Sequence, residues 1–171
     1  MNPEEAIKKL KEGNVRFVAG KSNHRDLVAQ RKSLVGGQKP FAIILTCSDS
    51  RVAPEHIFDA GLGEIFVVRT AGNIADAIAL GSMEYATEHL GSTLLVVMGH
   101  EFCGAVKAAC MSEHAEGNIG AIVKELQTAV KMGNKEPALV VSENVKCVLD
   151  AIRKKSAILA HLESEGKLKI V

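Results

Sequence analysis

Three short apolar runs, Ala42-Ile43-Ile44-Leu45, Ile65-Phe66-Val67-Val68 and Leu94-Leu95-Val96-Val97, limit most tightly what this chain can fold into. None of them alternates apolar with polar residues, so each reads as a strand covered on both faces, the pattern of a parallel sheet between helices. The stretches between them are long enough for crossover helices, and strand, loop and helix recur in turn. The expected order is strand 41–46, a short helix from Pro54, strand 64–69, helix 74–90 and strand 93–98. Helices at 102–111, 119–131 and 137–161 and a last strand at 167–171 complete it. The fold class is α/β, with a mostly parallel central sheet flanked by helices.

Ahead of the first strand, Asn2-Pro3-Glu4-Glu5 reads as an N-cap, a proline at the first helical position and acidic residues facing the helix dipole. The helix it opens should run toward Val18 with a thin apolar stripe of Ala6, Ile7, Leu10 and Phe17. So narrow a stripe suits packing on a partner subunit. A second helical stretch at 25–34 ends at Gly36-Gly37, giving a helical arm over 1–36 and an α/β core over 38–171 within a single domain. A chain of 171 residues with 47% hydrophobic content can bury one full core. Its 21 basic and 20 acidic residues nearly cancel, which leaves no electrostatic footprint for nucleic acid or an anionic membrane. No apolar run reaches the roughly 20 residues that span a bilayer, and the charged amphipathic start is unlike a signal peptide, so a cytoplasmic protein is expected.

Cysteine use then narrows the chemistry. In a reducing compartment thiols stay free, so metal binding or burial is the reading for each. Cys110 and Cys147 lie in apolar helical surroundings and are assigned to packing. Cys47 follows the first strand directly, and His100 and Cys103 follow the third. Carboxyl ends of parallel strands meet at one edge, where ligands bind. Two sulfurs and one imidazole nitrogen suit zinc, one ion per chain, with a fourth position open to a water whose pKa falls to about 7. In Cys47-Ser48-Asp49-Ser50-Arg51 the guanidinium can pair with the carboxylate, keep it ionised and aim it as an acceptor toward the attacking oxygen. Gly99-His100-Glu101-Phe102-Cys103-Gly104 places Cys103 at a helix start, where amides favour thiolate. A His-Glu-x-x-His protease is excluded because Gly104 stands where the second histidine would be, and the deaminase Pro-Cys-x-x-Cys is absent. Of the remaining histidines, His56 lies nearest the Cys47 turn in sequence and is the one candidate proton carrier.

Taken together these segments resemble the β-class carbonic anhydrases over nearly the whole chain. The resemblance rests on residues 47–51, on Val67-Val68-Arg69-Thr70-Ala71-Gly72-Asn73, on Glu84-Tyr85-Ala86, and on Gly99-His100 with Cys103-Gly104-Ala105-Val106. It implies zinc on Cys47, His100 and Cys103, a catalytic dyad of Asp49 and Arg51, and reversible hydration of carbon dioxide to bicarbonate and a proton by zinc-bound hydroxide. It also implies a homo-oligomer, at least a dimer, with a substrate pocket at the subunit interface lined by Gln38, Phe66, Tyr85 and Gly104.

Two departures qualify the resemblance. Ile44 stands where some members carry the tryptophan of a bicarbonate-responsive inactive state, so that regulatory site is expected to be missing. Members also usually continue past the last strand into an edge hairpin, whereas this sequence stops at Lys169-Ile170-Val171, and an exposed edge with a smaller or weaker oligomer is expected. Hydrolysis of carbonyl sulfide or carbon disulfide on the same scaffold is the nearest enzymatic alternative. A non-catalytic zinc-binding or sensing domain is the alternative of another class. Gly61-Leu62-Gly63 and Thr70-Ala71-Gly72-Asn73 complete neither a dinucleotide fingerprint nor a P-loop.

Overall fold

The computed structural model describes residues 1–171. Four strands, β1 (Ala42–Cys47), β2 (Ile65–Thr70), β3 (Leu94–Met98) and β4 (Lys169–Ile170), form one sheet in the order β2-β1-β3-β4. Every pairing is parallel. Eight helices complete the chain: α1 (Pro3–Val18), α2 (Leu27–Ser33), α3 (Pro54–Ile57), α4 (Ala77–Glu88), α5 (Gly104–Met111), α6 (Ile119–Met132), α7 (Pro137–Lys155) and α8 (Ala157–Ser164). None is long and apolar enough to cross a membrane.

The continuous apolar runs follow from this layering. All six residues of the central β1 are buried. Side chains alternate across a strand, so Ile43 and Leu45 enter a core with α4, α7 and α8, while Ala42 and Ile44 pack on the other face against α1. A third cluster, among α5, α6 and α7, contains Cys47 and Cys103 themselves.

The first helix is capped as its sequence requires. Asn2 accepts from the Glu5 amide and Glu5 reaches back to the Asn2 amide. Ala6 and Leu10 of its stripe are spent on the chain's own sheet, Ile7 is half-buried, and Phe17 remains 43% exposed. The arm is tied down by Asp59, which is buried after α3. Its carboxylate accepts from Arg16 Nε at 2.5 Å, Arg25 Nη1 at 2.5 Å and the Asn23 side-chain amide at 2.9 Å.

Four boundaries differ from expectation, each for a local reason. The helix expected from Ile74 starts at Ala77, because Gly72 and Asn73 are left-handed (φ +72° and +47°) and the Asp76 carboxylate caps the Ala79 amide. The helix expected over 137–161 breaks at Ser156, whose hydroxyl leaves the helix pattern to accept from the Leu159 amide and open α8. Phe102 is not helical: its φ is +56°, and α5 begins two residues later with Cys103 as its cap. The last strand is shorter than expected, although the Val171 amide still donates to Leu95 at 2.9 Å.

Candidate metal centre

Strand order decides where a ligand can sit. From β1 the chain crosses to β2 on one side, and from β3 to β4 on the other, so the loops leaving β1 and β3 diverge. Between two such neighbouring strands an open α/β sheet has a crevice at its carboxyl edge. The residues that follow β1 and β3 are Cys47-Ser48-Asp49 and Gly99-His100, and the two strands are held in register to their ends by Thr46 opposite Met98. The Thr46 hydroxyl donates to the Met98 carbonyl at 3.0 Å.

At that crevice one ligand atom each from Cys47, His100 and Cys103 lies within 4.8 Å of the others. The two sulfurs are 3.9 Å apart. This is too long for a disulfide. Two sulfurs each about 2.3 Å from one zinc at the tetrahedral angle would lie about 3.8 Å apart, so the spacing fits that metal. The imidazole is turned for the same purpose. His100 Nδ1 lies 2.8 Å from the Glu101 carbonyl, which fixes the proton on Nδ1 and leaves the lone pair on Nε2. Nε2 is buried and has no hydrogen-bond partner. A buried imidazole nitrogen without a partner costs free energy unless a cation takes it.

The thiols make the same point electrostatically. Burial pushes the Cys103 thiol up, the Val106 and Ala105 amides at the start of α5 pull it down, and the neighbouring Cys47 pushes it up again. A thiolate at Cys103, buried beside a second sulfur, calls for a positive charge next to it. A divalent cation supplies that charge.

Asp49 stands beside this cluster without joining it. Its Oδ1 accepts from the Arg51 amide at 3.0 Å and Nε at 2.9 Å, and its Oδ2 accepts from Nη2 at 2.7 Å. These hydrogen bonds hold the Asp49 carboxyl well below the usual carboxylate range. Arg51 is anchored in turn on the Phe102 carbonyl, 3.3 Å away, so the left-handed turn at Phe102 links the two ligand loops.

Three supporting residues had no role assigned from sequence. Arg69, on β2, donates from Nε to the Cys47 carbonyl at 2.9 Å and from Nη2 to the Asp49 carbonyl at 2.5 Å, clamping the turn from the neighbouring strand. The Gly72 amide donates to Cys47 Sγ at 3.4 Å. Asn144, buried in α7, donates to the Gly72 carbonyl at 2.8 Å. Their partners are mostly backbone atoms of other elements, which no motif spacing records. The sequence signal was only a polar residue in an apolar stripe, Val140-x3-Asn144-x3-Val148-x3-Ile152.

Of the expected pocket residues, Gly104 adjoins the cluster as the first residue of α5, and a Cβ there would meet nothing within 4 Å. Gln38, Phe66 and Tyr85 are not brought to it. Gln38 is exposed and precedes β1, at the opposite edge of the sheet from Cys47. Phe66 pairs with Ile43, roughly 13 Å along the strand from Cys47 at about 3.3 Å per residue. Tyr85 is 50% exposed near the far end of α4, its ring tilted against His89. His56 is exposed, and Cys110 and Cys147 are half-buried against the α5–α7 core.

Known proteins share this arrangement of chain. Residues 42–171 match the family model described as carbonic anhydrase. Carbonic anhydrase 2 of Mycobacterium tuberculosis is 42% identical over 179 aligned positions, covering 99% of this chain and 86% of that protein. A carbonic anhydrase of Mycolicibacterium smegmatis is 46% identical over 139 positions, covering 78% of this chain and 68% of that one. Among solved structures, the β-carbonic anhydrase CcaA superposes with a TM-score of 0.72 at 28% identity, over 96% of this chain and 87% of that one. Tetrameric β-carbonic anhydrases of Sordaria macrospora share the fold, with a TM-score of 0.74 at 23% identity over 97% of this chain and 89% of theirs. With matched family residues spanning the whole sheet and a near full-length relative of such identity, the chain belongs to the carbonic anhydrase family, in its β class.

Proposed function

We propose that this chain hydrates carbon dioxide reversibly to bicarbonate and a proton, using one zinc ion per chain held by Cys47, His100 and Cys103. One observation carries the reading: two buried sulfurs at zinc spacing and a partnerless imidazole nitrogen stand next to a carboxylate locked by an arginine. Bound there, zinc supplies a Lewis acid that makes water nucleophilic near neutral pH.

The chain's own residues do the rest. His100 is held in one tautomer by the Glu101 carbonyl, so its free nitrogen needs no rearrangement to bind. Asp49 has about four acceptor sites as a carboxylate. Three are taken by Arg51, two on Oδ1 and one on Oδ2. The remaining one, on Oδ2, can accept a hydrogen bond from the attacking water and aim an oxygen lone pair at the substrate carbon. Because Arg51 keeps Asp49 ionised, that oxygen accepts and does not donate, which favours an O–H group both in the nucleophile and in the bicarbonate product. As the new carbon–oxygen bond forms, one carbon–oxygen π pair moves onto the substrate oxygen, and the water's surplus proton leaves to buffer. The open space over Gly104 leaves room for a triatomic substrate beside the ligands.

Gln38, Phe66 and Tyr85 complete the pocket in this reading only from a second copy, since within one chain they lie toward the far edge of the sheet. A homo-oligomer, at least a dimer, is therefore part of the proposal, as is a cytoplasmic setting in which the free thiols stay reduced. The test is metal analysis with stopped-flow measurement of carbon dioxide hydration at mildly alkaline pH. One zinc per chain and hydration well above the buffer rate are expected. Zinc-loaded oligomer without hydration would favour a sensing role, and faster turnover of carbonyl sulfide or carbon disulfide would favour the hydrolase reading.

A further inference from the structure

Asn144 is a polar residue with no part in the chemistry so far described, yet it is 3% exposed in the middle of an otherwise apolar stripe of α7. A buried amide is costly unless paired, and the partners of this one are specific. Its Nδ2 donates to the Gly72 carbonyl at 2.8 Å and to Asn73 Oδ1 at 3.3 Å. Gly72 and Asn73 form a tight turn with two successive left-handed residues. Glycine and asparagine are the residue types that tolerate this region, and Asn144 ties the turn they make to α7. A larger residue at Gly72 would be strained: its Cβ would press on Ala105 and Leu126 at 3.3 Å, in a backbone conformation that side chains rarely adopt. The turn is thus gripped from three helices, and its product is a single aimed group, the Gly72 amide, 3.4 Å from Cys47 Sγ.

We propose that Asn144 is a positioning residue for the metal ligand Cys47, acting through the Gly72 turn: it holds the amide that donates to the ligating sulfur and so raises the affinity of the site for zinc. A hydrogen bond to a thiolate sulfur stabilises its charge and fixes its lone pairs toward the metal, and outer partners of this kind typically contribute 10- to 100-fold in metal affinity. The inference rests on the zinc reading above and concerns a side chain that touches neither metal nor substrate.

Asn144→Leu, close in volume and without the donor, separates this role from one in packing alone. Zinc affinity is read by chelator competition, beside the thermal midpoints of metal-free and zinc-loaded protein. A residue that only supports the fold lowers both midpoints alike, whereas a positioning residue shrinks the gap between them, since that gap grows with ligand concentration over the dissociation constant. Because Asn144 acts on Cys47 through the Gly72 turn and not by touching it, the expected result is zinc bound up to about tenfold more weakly, the lower end of what a direct outer partner contributes, with a reduced gap. Wild-type affinity in a folded Asn144→Leu protein would overturn the proposal. Should that variant not fold, Asn144→Ala, smaller and likewise without the donor, is read in the same way, and wild-type affinity in it would overturn the proposal equally. With ¹¹³Cd in place of zinc, a scalar coupling between the metal and the Gly72 amide proton across the N–H···S contact is expected in the wild-type protein and weaker in the variant; its absence from the wild-type protein would remove the bond through which Asn144 acts. The two readings fail differently: if the wild-type protein binds no metal at these residues, the zinc site itself is wrong, while full metal content with an indifferent Asn144 removes only the positioning role.

Discussion

The two edges of the sheet are built on opposite principles. At the carboxyl edge a single chain brings together two sulfurs 3.9 Å apart and an imidazole fixed by its own loop, with a carboxylate held twice over by one arginine beside them. Toward the amino edge, Gln38 and Tyr85 are exposed, Phe66 is half-buried, and none contacts the ligands. A single chain is enough to bring the Cys47, His100 and Cys103 cluster together, because strand order creates the crevice, whereas the proposed pocket residues are close to that cluster only if a second copy supplies them. Exposed aromatic side chains occur at both edges: Phe102, between His100 and Cys103 in the chain, is 85% exposed, and Tyr85, toward the amino edge, is 50% exposed.

The largest effect is expected from disabling the carboxyl edge. Cys47→Ser replaces a soft thiolate by a hydroxyl that stays protonated, and zinc content by metal analysis should fall to a small fraction with hydration lost in proportion. A fully loaded, active Cys47→Ser protein would mean that the cluster is not the metal site. Next in size is Asp49→Asn. It keeps volume and zinc but gives the attacking water a group that can donate as well as accept, and it loosens the hold of Arg51. A loss of about 10²- to 10⁴-fold in kcat at unchanged zinc content is expected from stopped-flow measurement. An unimpaired variant would take Asp49 out of the mechanism.

A third experiment addresses both edges together. If Gln38 donates to the substrate as proposed, Gln38→Ala removes one hydrogen bond of about 1.5 kcal/mol and should cost about tenfold in kcat/KM. Mixing it with Cys47→Ser chains tests where Gln38 acts. In a mixed dimer the metal of the Gln38→Ala chain faces the intact Gln38 of the Cys47→Ser chain, so one of the two sites is whole and activity returns to about half of wild type. If Gln38 served its own chain's metal, no such recovery would occur and the division between the edges would be wrong.

How far these features were legible in the sequence follows the same division. The strands, their parallel sense and the meeting of Cys47, His100 and Cys103 could be read because each depends on local pattern: unbroken apolar runs, and chemistry placed directly after them. The start of α4 and the break between α7 and α8 could not, because Ile74-Ala75 and Ser156-Ala157-Ile158 continue a helical periodicity that Asp76 and Ser156 interrupt by capping. Both residues are ordinary N-cap types, so the signal was present, but periodicity outweighed it. Arg69, Gly72 and Asn144 were out of reach for another reason. Each acts on a residue 20 or more positions away, such as Asn144 on Gly72, and most of those bonds go to backbone atoms whose position only the tertiary fold defines.

The smallest effect on chemistry is expected at the anchor of the helical arm, and it sharpens the comparison from the other side. Burial by itself would push the Asp59 carboxyl up, but hydrogen bonds from Arg25, Arg16 and the Asn23 amide outweigh it and bring it down to about 2. A carboxyl depressed on folding stabilises the folded state above its unfolded value of about 3.9 and loses that contribution as pH falls toward its folded value. Wild-type stability should therefore drop between about pH 4 and pH 2 as the arm's ion pairs are protonated away. Asp59→Ala removes the contribution at every pH and leaves two arginines facing a buried gap, at a cost of about 3 kcal/mol in denaturant unfolding. The same variant should also lose much of this acid-dependent step. Yet Asp59 lies after α3 and its carboxylate bonds only residues of the arm, so the zinc bound per folded chain should match wild type. If Asp59→Ala instead emptied the metal site while still folded, the carboxyl edge would depend on the arm, and the separation of the two regions would not survive.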